Sequence, residues 1–338
     1  MFLINPNKPQ FKANLHCHST RSDGKLTPED LKQAYKTKGY SVLAITDHES
    51  PKDHSSLNEP DFLLLTGYEA YIRTSPDCRY DVFAPEIHLN LFAREAQNET
   101  LICYNPACCK YLTEEQQAKI RKAGTQRTRE YTPDYINEFI RTANENGYLV
   151  AYNHPVWSME DESRIMTYDG IFSMEMVNGN SDSLNGIEYN GSLYDKLLRN
   201  GKHWFVHASD DNHNSYPFGH PQNDSFRAFT MISADELSYE AVIDAMEHGN
   251  MYSSTGPLIH SLSFENGTVT IECSPASRVI CHFGSKHPYS VYAQAGQTIT
   301  SATVELHPQA RYLRVTVTDV HGYTADTRAF SREELGLI

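Results

Sequence analysis

Long apolar runs are missing from this 338-residue chain. Nothing approaches the ~20 consecutive apolar residues that a membrane-spanning helix requires, so no membrane partner is expected. Positive charge is scarce as well. With 29 Lys and Arg against 43 Asp and Glu, the formal net charge is −14. A protein that tracks a phosphate backbone carries a basic face, so long nucleic acid is not an expected partner. Cysteine is sparse and unpatterned: seven residues, an odd number without scaffold-like spacing, point to reduced thiols in a cytoplasmic protein rather than to a disulfide framework. Cys103, Cys108 and Cys109 lack a second Cys or His pair at zinc-finger spacing and read as structural or surface thiols. The opening Met1-Phe2-Leu3-Ile4-Asn5-Pro6 has no basic n-region and its apolar stretch breaks at once, so no secretory leader is expected.

Histidine, by contrast, is abundant, with 16 residues. His16-Cys17-His18 is the densest signal, because side chains in an extended segment alternate faces and the two imidazoles can therefore clamp one divalent ion. Through the first two-thirds of the chain, short apolar runs alternate with amphipathic stretches, the βα rhythm of a parallel barrel or open sheet. Ser41–Ile45 reads as a buried strand that delivers Asp47 and His48, and Phe62–Leu65 leads to Glu69. Glu86–Phe92 alternates and carries His88, Tyr148–Tyr152 runs into Asn153-His154-Pro155, and Trp204–Ala208 opens into Asp210-Asp211-Asn212-His213. Thr132-Pro133-Asp134 has the capping hydroxyl and first-position proline of a helix start, with Gly147 as its stop. An insertion occupies about residues 94–130, and Thr113-Glu114-Glu115-Gln116 opens a helix within it. Beyond Gly256-Pro257 the helical signal fades into short strands, with a hairpin at Glu265-Asn266-Gly267. The expected organisation is an α/β barrel over 1–256 and a small antiparallel β-sandwich over 257–338.

Candidate ligands thus stand at predicted strand ends: His16, His18, Asp23, His48, Glu69, His88, His154, Asp211 and His213. In (β/α) barrels the C-terminal strand ends converge on one pocket. Mixed imidazole and carboxylate ligands suit zinc, manganese or iron, and a carboxylate can bridge two ions. His54, His203, His248 and the histidines after residue 257 read as ordinary polar or surface residues.

This ordered set resembles the polymerase and histidinol phosphatase (PHP) superfamily. The resemblance implies a distorted (β/α)7 barrel holding two or three divalent ions (Mn, Fe or Zn) and performing phosphoester hydrolysis. Carried over, it places one ion on His16, His18, Glu69 and Asp211, a second on Asp23, His48 and His213, and a third on His88 and His154 with Glu69 bridging. Many relatives have histidine where this chain has Asp23, an oxygen ligand that slightly favours a harder metal. Asp47 is expected to tune the cluster from behind His48, and Glu175 either to support it by hydrogen bonding or to pair with a Lys or Arg. Asp-x-His spacing favours Asp211 over Asp210 as the ligand. Arg21 is a candidate phosphate contact and His220 a candidate general acid. The expected activity is attack of a metal-bridging hydroxide on a small phosphomonoester or nucleotide. The C-terminal domain after Tyr252–Pro257 resembles a carbaryl-hydrolase-like branch, for which cleavage of a carboxylic ester or carbamate is the alternative. A non-catalytic module binding carbohydrate or protein is the other, and the sequence leaves oligomeric state open.

Overall fold

In the computed structural model, residues 1–337 are described. One long sheet runs, in spatial order, through Phe205–Ser209, Ser173–Asn178, Tyr148–Tyr152, Glu86–Ala93, Leu63–Arg73, Val42–Ile45, Gln10–Asn14, Phe229–Ser233 and Met251–Ser254. It then continues into Thr324–Thr327, Tyr312–Thr318, Arg278–His282 and Tyr289–Tyr292. The fold is mixed α/β, and its sheet is mixed too. Val42–Ile45 is parallel to both its neighbours, as are Tyr148–Tyr152, Ser173–Asn178 and Phe205–Ser209 to one another. Leu63–Arg73, however, is antiparallel to Glu86–Ala93, which in turn is antiparallel to Tyr148–Tyr152. The uniformly parallel βα rhythm fails here because no helix separates Leu63–Arg73 from Glu86–Ala93, so the chain doubles back as a long hairpin rather than crossing over.

Among the described residues no backbone ladder closes this sheet into a barrel. Instead, Thr230 of Phe229–Ser233 joins that interior strand to the sheet's first strand, Phe205–Ser209, with a side chain: its hydroxyl accepts from the Ala208 amide at 3.0 Å and donates to the Ala208 carbonyl at 2.8 Å. Helices cover the sheet where the capping signals place them. Thr132 accepts from the Tyr135 amide to start Pro133–Glu145, which buries Tyr135, Ile136, Phe139, Ile140 and Ala143 on one stripe. Thr113 and Gln116 form the reciprocal capping box of Glu114–Lys119 inside the insertion. No helix among the described residues is long and apolar enough to cross a membrane.

The C-terminal region is rich in sheet. Phe2–Ile4, Ile259–Glu265, Thr268–Ala276 and Ile299–Glu305 make an antiparallel sheet, so the chain's first strand joins its last region. Asn266 (φ 49°) and Gly267 (φ 84°) supply the two left-handed positions of the hairpin turn. Val269, Ile271 and Val304 of this sheet pack with Val279, Val315 and Val317 of the long one in a single apolar cluster.

One expectation is corrected. Cys78 and Cys108 form a disulfide, with Cα atoms 5.3 Å apart, because the loop after Leu63–Arg73 and the insertion fold over the same edge. The other cysteines (17, 103, 109, 273 and 281) are free and buried.

A buried ionic network ties the two regions together. Arg314, on Tyr312–Thr318, donates twice at 2.8 Å to Asp195 of the helix Gly191–Arg199 and lies 3.5 Å from Asp326. Burial and the neighbouring Arg314 push the His282 imidazole down to about 4, while Asp195 is held below the usual carboxylate range by Arg314 and Tyr312 against the effect of its own burial. His282 is therefore neutral in the folded protein yet protonates in the unfolded chain below its ordinary value of 6.5. Folding stability is accordingly present above pH 6.5 and is lost as pH falls toward 4, and the Asp195 carboxylate adds a loss in the same direction. Chemical denaturation at stepped pH should show this decline, and His282→Gln should flatten it by roughly 1–2 kcal/mol. An unchanged profile in that variant would remove His282 from the account.

Candidate metal centre

The ligand-bearing segments leave the sheet side by side and stay paired by backbone bonds beyond the regular strands. The His18 amide donates to the Asn212 carbonyl (3.0 Å), Asp211 to His16 (3.0 Å), Thr46 to Cys17 (2.8 Å) and Glu69 to Thr46 (3.1 Å). These bonds bring residues from distant parts of the sequence onto one floor.

Glu69 lies at the centre. One carboxylate oxygen is 3.2 Å from His16 Nε2, 3.0 Å from His88 Nδ1 and 3.3 Å from His154 Nε2, and the other is 3.0 Å from His48 Nδ1 and 3.4 Å from His18 Nε2. Asp211 Oδ1 stands 3.2 Å from His16 Nε2 and 3.1 Å from His18 Nε2, and those two nitrogens are 3.2 Å apart. A second group surrounds Asp23, whose oxygens lie 3.6 Å from His48 Nε2 and 3.5 Å from His213 Nε2. All nine candidate ligands are therefore brought together, in three overlapping groups.

Do these residues fit divalent ions? Ligand atoms about 2.1 Å from an ion are roughly 3.0 Å apart at right angles and about 3.4 Å apart in a tetrahedron, which matches the spacings around Glu69 and Asp211. Asp211 Oδ1 and His48 Nδ1 are also buried polar atoms without a hydrogen-bond partner, as expected of atoms that point at an ion. The electrostatics agree. Burial alone would lower the buried imidazoles, yet Asp211 and Glu69 raise His18 to about 10, and Glu69 with Glu86 raises His88 to about 9. A field that holds protons this firmly also attracts a cation.

A surrounding layer fixes each ligand. Glu175 accepts from His16 Nδ1 at 2.9 Å, from the His154 amide at 2.7 Å and from Asn178 at 2.7 Å, so it supports the cluster and, among the described residues, pairs with no Lys or Arg. Asp47 accepts from the Ser19 amide (2.8 Å) and from the Ser19 and Ser22 hydroxyls (2.6 Å each), which braces the loop after His18. Asp210 turns away from the histidines into the amides of Phe226, Arg227 and Ala228, at 2.7, 2.7 and 2.9 Å. Asp211 faces the cluster. Its φ of 53° and that of His154, 26°, are left-handed conformations that cost energy in non-glycine residues and persist because neighbours hold them.

Above the floor lies a cavity of about 470 Å³, lined by ligands together with Arg73, Tyr80, Lys110, Trp157 and Tyr216. Neither candidate for substrate contact is a wall of the cavity, although His220 stacks on one. Arg21 donates to Ser50 at 3.4 Å, and His220 is exposed, stacked on Tyr216 at 4.6 Å; neither lines the cavity. The cavity's own cations, Arg73 and Lys110, carry no motif in the sequence. Arg73 is bound to Glu86 and donates to the Cys78 carbonyl at 2.9 Å, whereas Lys110, 4.9 Å from the centre of the Tyr111 ring, pairs with no carboxylate among the described residues. Another residue without a motif is Tyr111, from the insertion, which donates to Asp23 at 3.2 Å and stacks on His48. Only the contact across 88 residues reveals it.

The PHP domain family matches residues 14–154. A 62-residue stretch is 39% identical to a 5′-3′ exoribonuclease of Haemophilus influenzae, covering 17% of this chain and 23% of that protein, so the chain spans under a quarter of that curated relative. Among solved structures, a two-domain protein of Bacteroides vulgatus, described as containing a PHP-like metal-dependent phosphoesterase, is 13% identical with a TM-score of 0.45 over 98% of both chains. A protein of Bifidobacterium adolescentis, designated a metal-dependent phosphoesterase, is 17% identical with a TM-score of 0.39, covering 64% of this chain and 93% of that one. The family match begins just ahead of His16 and ends on His154; seven of the nine candidate ligands fall within it, Asp211 and His213 lie beyond it, and residues 14–154 of this chain are similar to a PHP domain.

Proposed function

We propose that this protein is a metal-dependent hydrolase of small phosphomonoesters, using two or three divalent ions of the manganese, iron or zinc type. The observation that carries the reading is Glu69, a buried carboxylate within 3.4 Å of five imidazole nitrogens, beside an unpartnered Asp211 oxygen. His16, His18, Glu69 and Asp211 would hold one ion, Asp23, His48 and His213 a second, and His88 and His154 with Glu69 a third. Ions bound there supply Lewis acidity, lowering the pKa of water and neutralising phosphoryl charge.

The protein's own groups do the rest. Lys110, which lines the cavity without a carboxylate partner, meets the negative charge of the phosphoryl group. Arg73 is less free: Glu86 and the Cys78 carbonyl hold its guanidinium, and it contributes a fixed positive field at the wall. Glu86 also accepts from His88 Nε2 at 3.1 Å, orienting that ring so that Nδ1 faces Glu69. No serine or cysteine nucleophile is needed in this scheme. Cys17 is fully buried and its thiol is pushed well up by burial and by Asp47, which keeps it protonated and unreactive.

Two outcomes are expected. Purified protein should carry at least one equivalent of transition metal by elemental analysis, lose phosphomonoesterase turnover on chelation and regain it with manganese. Turnover that persists in metal-free protein would overturn the reading. Glu69→Gln, which keeps the shape and removes the charge, should lower metal content and cut kcat by at least ~10²-fold. Full metal content with wild-type kcat in that variant would show that Glu69 is not the bridge.

A further inference from the structure

Around the mouth of the metal cavity the protein leaves large apolar side chains in water. Val82 is 58% exposed, and Tyr80 and Met159 are 50% exposed each. Scattered exposed apolar residues are ordinary, but these share one feature of the surface. With Trp157, Val156 and Ala84 they line a groove of about 290 Å³, and two of its walls, Tyr80 and Trp157, also line the metal cavity. The groove is therefore a side chamber of the proposed active site.

Trp157 is the partition between the two. Its indole packs near-perpendicular to His154 at 4.7 Å and 75° and tilted against His88 at 5.1 Å and 60°, while its plane lies parallel to the Tyr80 ring, 7° apart in orientation and 6.3 Å between centroids. The partition is fixed from below. The backbone amides of Val156 and Trp157 both donate to the buried Glu188 at 3.0 Å.

Three of the groove's polar side chains are already engaged, the Tyr80 hydroxyl, the Trp157 indole N–H and one Asp81 oxygen having no hydrogen-bond partner among the described residues. Glu86 is held by Arg73 and His88, Asn185 accepts from the Ile187 amide at 2.8 Å and donates to Glu188 at 3.3 Å, and Asp81 accepts from the Phe83 amide at 3.0 Å. A sugar or a nucleobase edge entering here would give up its hydrogen bonds to water and find few in return, whereas a flat apolar group gives up nothing. Size agrees, since a dry cavity of about 150 Å³ accepts benzene.

We infer that the substrate carries an apolar ring beside its ester group, and that Tyr80, Val82, Trp157 and Met159 receive the ring while the metal floor receives the phosphoryl group. The inference rests on the proposed hydrolase reading for the phosphoryl half alone, and the ring-binding half can be measured without turnover.

The probe is 2-phenylethanol, the alcohol released from 2-phenylethyl phosphate, with n-propanol as control. Trp204, the other tryptophan, is buried, so a ligand-dependent change in indole emission of the intact protein reports on Trp157, and Trp157→Phe removes that signal. The expected result is a saturable change with 2-phenylethanol, half-complete in the millimolar range as roughly nine heavy atoms allow, and none with n-propanol. Met159→Gln, at an exposed position where folding is not at stake, should weaken that binding at least fivefold. In parallel, kcat/KM for 2-phenylethyl phosphate should exceed that for n-propyl phosphate about tenfold, a comparison in which the leaving alcohols have similar acidity. The titration decides the groove: a response that fails to saturate, or that n-propanol matches, overturns the inference whatever the rates. Saturable ring binding with no turnover of any phosphomonoester supports the groove and counts against the proposed reaction.

Discussion

The structure depends on a carboxylate that has no business being buried alone. Glu69 is 1% exposed, and taking an ionised carboxylate out of water is costly unless opposite charge surrounds it. The imidazoles of His16, His18, His48, His88 and His154 all converge on it, drawn from four separate stretches of chain. Protonated histidines or bound cations can meet that demand, but five imidazoles cannot all be protonated at close quarters without repelling one another. Divalent ions resolve the conflict, because they bind neutral imidazole and carboxylate at once. The arrangement is therefore more intelligible as a metal cradle than as a structural ion-pair network.

That central demand explains the layer around it. Several ligands have a second polar atom satisfied by a hydroxyl or carbonyl, as His18 by Ser22 and His154 by Ser158, and buried acids with defined partners brace the rest. Glu175 holds His16 and His154, Asp47 holds the His18 loop, and Glu86 holds His88. Further out, Glu49 follows His48 with a φ of 49°, receives the Tyr71 amide at 3.1 Å and is paired with Arg129, both side chains almost fully buried. Arg129 comes from the end of the insertion and also donates to the Tyr71 carbonyl at 2.7 Å. Breaking one side of such a pair costs about 3–5 kcal/mol because the remaining charge is stranded. The insertion is thus tied to the strand that carries Glu69 and is not a loose elaboration of a loop.

Much of this was legible in the chain. The convergence of these side chains could be read because metal chemistry restricts residue type and most of them follow a buried apolar run, so His16, His48 and His154 stood out against polar neighbours, whereas His88 lies inside its strand. Helix starts were legible through local capping, as at Thr132 and Thr113, and the Asn266-Gly267 hairpin through its need for positive φ. What escaped was long-range. Nothing local distinguishes a strand that crosses over from one that doubles back, so the antiparallel pairing of Leu63–Arg73 with Glu86–Ala93 was hidden. Neither does an odd cysteine count exclude one bridge, and Cys78 and Cys108 meet only because two loops fold over the same edge. Arg73, Lys110 and Tyr111 escaped for the same reason. Single residues at a strand's end or in a loop carry no period, and their meaning lies in which cavity the fold turns them toward.

Those three residues also show how the site divides its labour. The floor is built from two strands, Leu63–Arg73 and Glu86–Ala93, which carry Glu69 and His88 within them, and from the segments that follow the other strands, and it is held by backbone bonds and buried carboxylates. The roof comes from the loop after Arg73 and from the insertion, which supply Tyr80, Lys110 and Tyr111 and are joined by the Cys78–Cys108 bridge. Tyr71 links the two layers, its hydroxyl donating to the Cys108 carbonyl at 2.5 Å from the strand that carries Glu69. Chemistry that depends on ion geometry needs the rigid floor, since small displacements of a ligand alter affinity. Recognition depends on which side chains the loops present, and loops can vary without disturbing the strands beneath. A chain of this design can therefore keep its metal chemistry while its choice of substrate is set by loop residues such as Tyr80 and Lys110, which is where the determinants of specificity should be sought.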